Sequence, residues 1–172
     1  LALKPGLFTA DGRDNAGEVF LETLGVSSPE PAGQLLTADT VRALIPARRH
    51  QSHKGNFGSV GIIGGTDGMV GAAVLAARAA LYMGPGKVFL GLAAKEMPGF
   101  DPLNPEVMLR RADDLVADGS LTAIAIGMGL GTERTAPRLV SAVLSRNLPT
   151  VLDADALNLL ATTPSLASLI SN

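Results

Sequence analysis

Residues 53–73 read HKGNFGSVGIIGGTDGMVGAA, and this stretch decides the fold. The apolar run from Ser59 to Gly64 predicts a buried strand, the glycines that follow predict a turn, and the small residues after Val70 predict a helix. Such a turn presents bare backbone N–H groups beside a helix N-terminus. Because those groups attract anions, the stretch predicts a site where a phosphate-bearing ligand docks.

Two later segments repeat this design. Residues 127–132, with the sequence GMGLGT, follow a second apolar run, and residues 153–158, with the sequence DADALN, follow a third. The carboxyl ends of parallel strands lie along one edge of a sheet, where open α/β folds form their ligand crevices. We therefore expect the three turns to line one crevice.

The composition excludes several classes of protein. The chain of 172 residues is 47% apolar with a formal charge of −2, so it can form a core but has no basic field for nucleic acid or an anionic membrane. It has no cysteine and only two histidines, His50 and His53, so we expect neither disulfides nor a metal site. No apolar stretch reaches the ~18 residues of a membrane span. We expect a cytoplasmic protein.

Strands and helices alternate after residue 50. Apolar runs lie at 59–64, 87–92, 121–127 and 149–153, and helical segments lie at 70–83 and 134–146. Because the apolar runs do not alternate with polar residues, they predict parallel strands that helices cover on both faces. Right-handed βαβ crossovers join strands of this kind.

The first 36 residues predict little regular structure. They are rich in turn formers, and their one candidate strand is the run 18–21. Thr37 then predicts the N-cap of a helix that runs through Leu44 and ends at Pro46.

The glycine and alanine patterns also have purely structural explanations. The turn at residues 64–71 lacks the G-x-G-x-x-G spacing of dinucleotide folds, and the chain contains no P-loop, so tight turns explain the glycines as well as a ligand does. The alanines of the helix at 70–83 suit close packing on the sheet as well as the approach of a flat ligand.

The charged residues near the turns also have either a ligand-binding or a structural explanation. Asp153 is expected to contact a hydroxyl, a ring amide or a metal-bound water, and Asp155 is expected to cap the helix at 156–160. Lys54 precedes the first strand and is expected either to bind a phosphate or carboxylate or to remain solvated.

Five motifs occur in order along the chain, at residues 53–65, 71–77, 105–108, 127–131 and 151–158. Together they resemble successive motifs of the ADP- or ATP-dependent NAD(P)H-hydrate dehydratases, whose fold is ribokinase-like. The resemblance covers residues 37–172 and implies an α/β fold, a mostly parallel sheet with helices on both faces, of which the chain holds the N-terminal half. Met128 departs from the family pattern, which has proline there, but the turn keeps its backbone amides.

Residues 3–19 are similar to the closing segment of the NAD(P)H-hydrate epimerase domain. In bacterial bifunctional proteins that domain precedes the dehydratase. The resemblance implies that residues 1–36 are an epimerase tail with a linker, and that residues 37–172 are the N-terminal part of a dehydratase domain. We expect no epimerase activity from so short a tail.

The family's chemistry is the repair of NADH or NADPH to which water has added, the compounds NADHX and NADPHX. A phosphoryl group from ADP or ATP is transferred to the ring hydroxyl, usually with Mg²⁺, and phosphate then leaves. The resemblance implies that this chain contacts the substrate through Gly71, Ala72, Ala73, Gly129, Asp153 and Asn158, with Lys54 in support. It also implies that the catalytic aspartate and the phosphate-holding glycines lie beyond Asn172, so the 172 residues alone are expected to be inactive.

Two other functions stay open at this point. One is a small-molecule kinase of the same fold, for a vitamin or a sugar. The other is a noncatalytic nucleotide-binding fragment. Under the main interpretation the partner is a small dinucleotide rather than nucleic acid or a membrane, and we expect a homo-oligomer.

Overall fold

A computed structural model describes residues 2–27, 30, 33–45, 47–133 and 135–170. The chain divides into two compact units, Leu1–Arg49 and His50–Asn172.

The first unit contains short helices. A 3₁₀ helix spans Pro5–Leu7, helix α1 spans Gly12–Asn15 and helix α2 spans Ala38–Leu44. Thr37 caps α2 as predicted, because its hydroxyl accepts a hydrogen bond from the Thr40 N–H at 3.3 Å. The predicted end of this helix at Pro46 falls outside the described residues.

The candidate strand at 18–21 is wrong, since these residues form no regular structure and Phe20 is exposed. A strand needs a neighbour to pair its N–H and C=O groups, and no described residue of this unit forms one.

The second unit is built on a five-stranded parallel sheet in the order β3-β2-β1-β4-β5. Its strands are β1 (Ser59–Gly64), β2 (Lys87–Leu92), β3 (Met108–Arg111), β4 (Ala123–Ile126) and β5 (Thr150–Leu152). The four predicted strands are confirmed to within two residues. Strand β3 was not predicted, because it has only four residues and two of them are arginines.

Helices follow most of the strands. They are α3 (Val70–Met83), α4 (Ala112–Val116), α5 (Thr135–Leu144), α6 (Asp155–Thr162) and α7 (Pro164–Ala167), and a 3₁₀ helix spans Lys54–Phe57 before β1. The predicted helices at 70–83 and 134–146 correspond to α3 and α5. Among the described residues, no helix is long and apolar enough to cross a lipid bilayer.

Two hydrophobic layers cover the sheet, as the unbroken apolar runs predicted. Ile62 packs with the buried alanines of α3, Ala73 and Ala77, on one face. Its neighbour Ile63 packs on the other face, in the layer formed with α4 to α7. Successive side chains of a strand point to opposite faces, so each strand must be apolar on both.

The register brings the carboxyl ends of the strands into one row. Gly64 pairs with Leu92, and Leu92 pairs with Arg111. On the other side of β1, Ile63 pairs with Ile126, which pairs with Leu152. Every residue that follows these strands therefore emerges along the same edge of the sheet, which we call the carboxyl edge.

One ion pair holds the connection between β2 and β3 against α3. The Arg78 guanidinium donates from Nε to Asp101 Oδ2 at 2.7 Å and also binds Oδ1, and the Leu103 N–H donates to Oδ1 at 3.1 Å. The Asp101 residue is 4% exposed. The hydrogen bonds from Arg78, and secondarily that from the Leu103 N–H, outweigh burial and lower the pKa of Asp101 to about 2.

This depressed pKa makes stability depend on pH. Asp101 binds a proton more weakly in the folded than in the unfolded chain, so its contribution is complete above the unfolded pKa of about 4. It is lost as the pH falls from about 4 through 2. Urea unfolding of the wild type and of Asp101→Asn should show a gap in unfolding free energy that is constant near neutral pH and narrows below pH ~4. If the two proteins differed by the same unfolding free energy near neutral pH and near pH ~2, the assignment would be contradicted.

Candidate ligand-binding crevice

The order of the strands creates a crevice between β1 and β4. From β1 the chain continues to β2 and β3 on one side, and it then crosses back to β4 and β5 on the other. Connections leave a sheet in opposite directions at such a switch point, and a crevice opens at the carboxyl edge. The turn after β1 (residues 64–69, the first turn) and the turn after β4 (residues 127–131, the second turn) lie there.

Backbone hydrogen bonds join the two turns. The Gly65 N–H donates to the Met128 carbonyl at 3.0 Å, and the Thr66 N–H donates to the Gly129 carbonyl at 2.7 Å. A Cβ on Gly64 would collide with that Met128 carbonyl. The glycine at 64 is therefore required for the close approach of the two turns, whatever ligand they bind. Met128 takes part through its carbonyl, while its side chain packs on the α3 layer.

The second turn is built around positive φ angles. Gly127, Gly129 and Gly131 have φ of +125°, +61° and +75°. A Cβ on Gly129 would lie 2.7 Å from the Met69 carbonyl and 3.1 Å from the Ala72 Cβ. Gly129 therefore lies directly against the first residues of α3. This contact is possible only because Gly129 has no side chain, and it forms the floor of the crevice.

Several backbone donors around this floor have no partner. The N–H groups of Val70 and Gly71, in the first turn of α3, and that of buried Gly129 donate to no residue that the structure describes. The first N–H groups of a helix have no partner within the helix and carry a partial positive charge. A buried donor without a partner is costly, so the Gly129 N–H suits an oxygen of a bound ligand. The N–H groups of Val70 and Gly71 attract an anion as part of a helix N-terminus.

The three residues predicted at the start of α3 have different surroundings. Gly71 is exposed, and a Cβ there would have no atom within 4 Å, so open space lies above it. Ala72 is exposed beside Gly129. Ala73 is 0% exposed and packs beneath Gly64 and Gly65. The predicted substrate contact of Ala73 is therefore corrected to a packing role, because its methyl group has no surface to offer.

The turn after β5 requires a second correction. Asp155 does not cap α6; it is the first residue of that helix, and its Oδ2 accepts a hydrogen bond from the Gly131 N–H at 2.8 Å. The cap position is occupied by Ala154, whose φ of +42° is unusual for a residue with a side chain. Asp155 thus joins the start of α6 to the second turn.

Asp153 and Asn158 lie near the hydrogen bond between Asp155 and Gly131. The Asp153 carboxylate is exposed and has no hydrogen-bond partner in the described part of the chain, so it is available to a ligand. The Asn158 side chain is exposed one turn into α6 and donates to Asp155 Oδ1 at 3.4 Å. The structure therefore brings Gly71, Ala72, Gly129, Asp153 and Asn158 to the same edge of the sheet.

Lys54 is at the wrong end of the sheet. It lies in the 3₁₀ helix that precedes β1, and its carbonyl is beside Gly86, just before β2. The six residues of β1 separate it from the first turn by roughly 20 Å, which a lysine side chain does not span. The expectation that Lys54 supports ligand binding in the crevice is therefore wrong for this structure.

The connection after β2 adds residues that sequence reasoning missed. The Ala93 and Ala94 N–H groups donate to the Gly64 and Gly65 carbonyls at 2.9 and 3.0 Å. Asp67 Oδ1 accepts from the Lys95 N–H at 2.9 Å. An aspartate inside a glycine-rich turn was the available signal, because such residues commonly bind nearby backbone N–H groups.

A small cavity lies farther along the same edge. Its volume is about 100 Å³, and Arg111 and Thr135 are among its lining residues. A pocket for a small-molecule ligand typically has ~300–1,000 Å³, so this cavity is too small for a dinucleotide. The described residues contain no group of three or more His, Cys, Asp or Glu that could hold a metal.

Comparison with known proteins gives consistent results. A family described as NAD(P)H-hydrate dehydratase matches residues 60–171. The ADP-dependent (S)-NAD(P)H-hydrate dehydratase of Neisseria meningitidis serogroup B is 43% identical over 143 residues, which are 78% of this chain and 47% of that protein. The bifunctional NAD(P)H-hydrate repair enzyme Nnr of Coxiella burnetii is 39% identical over 176 residues, 96% of this chain and 36% of that enzyme. The chain thus spans half or less of the length of these relatives.

Solved structures share the fold. A ribokinase-like superfamily protein from Enterococcus faecalis matches with a TM-score of 0.65 and 26% identity, over 75% of this chain and 48% of that one. The ADP/ATP-dependent NAD(P)H-hydrate dehydratase from Bacillus subtilis, co-crystallised with ATP and Mg²⁺, matches with a TM-score of 0.59 and 34% identity, over 70% and 46%. The predicted ribokinase-like α/β fold is confirmed.

The role of Asp155 can be tested by stability. Asp155→Ala removes the acceptor of the Gly131 N–H and should lower the unfolding free energy by about 1.5–3 kcal/mol, the range for a hydrogen bond to a charged group. Asp153→Ala is the matched control and should change it by less than ~0.5 kcal/mol, because that carboxylate has no described partner. Equal effects in denaturant unfolding would contradict the assignment.

Proposed function

Because the chain belongs to the NAD(P)H-hydrate dehydratase family, we propose that the protein repairs hydrated nicotinamide cofactors. Its substrates would be (S)-NADHX and (S)-NADPHX, and its products NADH and NADPH. The proposal rests on the unpartnered N–H groups of Gly71 and Gly129, which lie at the switch point of the sheet. A relative in this family is named as an ADP-dependent dehydratase.

The proposed reaction uses ADP or ATP to activate a poor leaving group. A phosphoryl group passes to the ring hydroxyl; the C–O bond then breaks, phosphate departs, and the ring nitrogen donates its lone pair. Loss of a proton from the neighbouring carbon re-forms the double bond. Mg²⁺ would offset phosphate charge in such a transfer. We assign this chain the binding and orientation of the hydrate, because its unpartnered N–H groups and the Asp153 carboxylate lie at the carboxyl edge.

Each crevice residue has a distinct part in that task. The Gly71 and Gly129 N–H groups would donate to oxygens of the dinucleotide, and the bare surface of Gly71 leaves room for its approach. The Asp153 carboxylate would accept from a hydroxyl or the carboxamide of the nicotinamide ring, since it would repel a phosphate. Asn158 would bind beside it, and Ala72 would border the ligand.

The length of the matches supports a bifunctional parent. The bifunctional repair enzymes of Coxiella burnetii and Escherichia coli match 96% and 95% of this chain, so their similarity extends into the first unit. The single-activity dehydratases of Neisseria meningitidis and Bacillus subtilis match 78% and 70%. We propose on this basis that residues 1–36 belong to an epimerase tail and linker and residues 37–172 to the dehydratase domain, within a homo-oligomer in the cytoplasm.

The proposed activity is measured by recovery of reduced cofactor. The full-length protein, incubated with NADPHX, Mg²⁺ and either ADP or ATP, should restore the absorbance band of NADPH, and omission of the nucleotide should abolish recovery. No recovery with either nucleotide would overturn the proposal. Nucleotide consumption with a phosphorylated vitamin or sugar as product would indicate the kinase instead.

The open space above Gly71 permits a test that separates binding from folding. Gly71→Ala should raise the unfolding free energy by up to ~1 kcal/mol through helix propensity and change the Michaelis constant for NADPHX little. Gly71→Leu should be about as stable as Gly71→Ala, because nothing lies within 4 Å, yet raise the Michaelis constant at least ~10-fold by filling the space. An unchanged constant in Gly71→Leu would exclude Gly71 from the site. Gly129 is less suitable, since any side chain there strikes the Met69 carbonyl.

A further inference from the structure

The connection after β2 places a cation beside the crevice. This cation is Lys95, three residues beyond Leu92, where β2 ends. Its side chain is exposed, and its ammonium forms no ion pair with any residue that the structure describes. An ammonium in this position is available to an anionic ligand.

Three hydrogen bonds fix the main chain around Lys95. Its N–H donates to Asp67 Oδ1 at 2.9 Å, and Arg111 Nη1 donates to the Lys95 carbonyl at 2.8 Å and to the Ala94 carbonyl at 2.9 Å. Anchoring of this kind reduces the entropy that is lost when the side chain binds a ligand. Two cations, Lys95 and Arg111, lie with two acids, Asp67 and Glu96, so an incoming phosphate meets no excess of negative charge.

The same connection runs alongside the first turn. Backbone hydrogen bonds continue the pairing of β1 and β2 beyond both strands, up to the Ala94 N–H, which donates to the Gly65 carbonyl at 3.0 Å. Lys95 comes next and is held at the level of Asp67. Four residues after Asp67, the chain reaches Gly71, whose N–H lies at the start of α3. Lys95 therefore borders the crevice on its β2 side.

The polar groups along the carboxyl edge follow the order of the strands. The order β2-β1-β4-β5 places the Lys95 ammonium at one end and the Asp153 carboxylate at the other. The N–H groups of Gly71 and Gly129 lie between them. At about 4.8 Å between neighbouring strands, β2 and β5 are roughly 14 Å apart. The edge thus has a cation, then hydrogen-bond donors, then an anion.

Hydrated NADPH presents its groups in the matching order. The nicotinamide ring, with its hydroxyl and carboxamide, is at one end, the pyrophosphate is in the middle, and the adenosine ribose carries a further phosphate at the other end. Hydrated NADH lacks only this ribose phosphate. With the ring at Asp153 and the pyrophosphate at the glycine N–H groups, the ribose phosphate lies on the side of Lys95. A basic residue that accommodates this phosphate is how dinucleotide-binding folds select NADP.

Resting on the proposed function, we propose that the Lys95 ammonium binds the ribose phosphate of hydrated NADPH and makes the protein prefer this substrate to hydrated NADH. Lysine binds phosphate as a point charge with three donors on a flexible stem, so the contact requires proximity rather than one fixed geometry. The hydrogen bonds from Arg111 and to Asp67 supply that proximity, because they hold the Lys95 main chain against the first turn.

Turnover of both substrates by the full-length protein tests the proposal. Lys95→Gln should raise the Michaelis constant for NADPHX roughly 5–10-fold, as expected for loss of an exposed contact between an ammonium and a phosphate, and leave that for NADHX and both kcat values unchanged. Lys95→Arg should keep the preference for NADPHX. Lys87→Gln, the matched control at the opposite end of β2, should change neither constant. An equal rise for both substrates, which share the pyrophosphate, or no rise for either, would overturn the proposal.

Binding of the products distinguishes this proposal from the proposed reaction. The wild type, titrated with NADPH and with NADH and followed by their fluorescence, should bind NADPH roughly 5–10-fold more tightly, and Lys95→Gln should bind the two equally. A preference that depends on Lys95 supports the site even where no hydrate is turned over, and the proposed reaction alone then fails. Turnover of the hydrates by a wild type that binds NADPH and NADH equally would overturn the Lys95 site alone.

Discussion

Two hydrogen bonds between backbone segments hold the functional edge of this molecule together. They run from the Gly65 N–H to the Met128 carbonyl and from the Thr66 N–H to the Gly129 carbonyl, and they require a bare Gly64. Because the turns after β1 and β4 are joined in this way, the first residues of α3 are set against Gly129. The placement of the unpartnered donors around the crevice depends on that arrangement.

Under the proposed function, binding at this edge would depend more on backbone groups than on side chains. The crevice floor offers N–H groups of glycine, and its side-chain contributions come from Asp153 and Asn158 beside β5. Under the proposed function such a site would orient the ligand through these groups.

The sequence predicted whatever depends on local pattern. Strands β1, β2, β4 and β5 are continuous apolar runs, and Thr37 has the spacing of a helix cap, so both were found. The roles of Asp155, Ala73 and Lys54 were missed because each depends on distant contacts. The Asp155 carboxylate accepts a hydrogen bond from the Gly131 N–H, 24 positions away, and does not cap α6. Ala73 lies on the sheet side of a helix whose alanines occur on every side. Lys54 adjoins the key motif in sequence, but β1 carries the chain away from it.

Hydrogen exchange of the full-length protein tests the central claim most directly, which is that a dinucleotide docks on the joined turns at the carboxyl edge. NADPH, the proposed product, is the probe, and exchange is followed by mass spectrometry with and without it. We predict slower exchange in residues 65–73 and 127–132, where the unpartnered N–H groups lie. Residues 53–58, at the opposite end of β1, should not change. Protection confined to the amino end of the sheet, with both turns exchanging as before, would contradict the account.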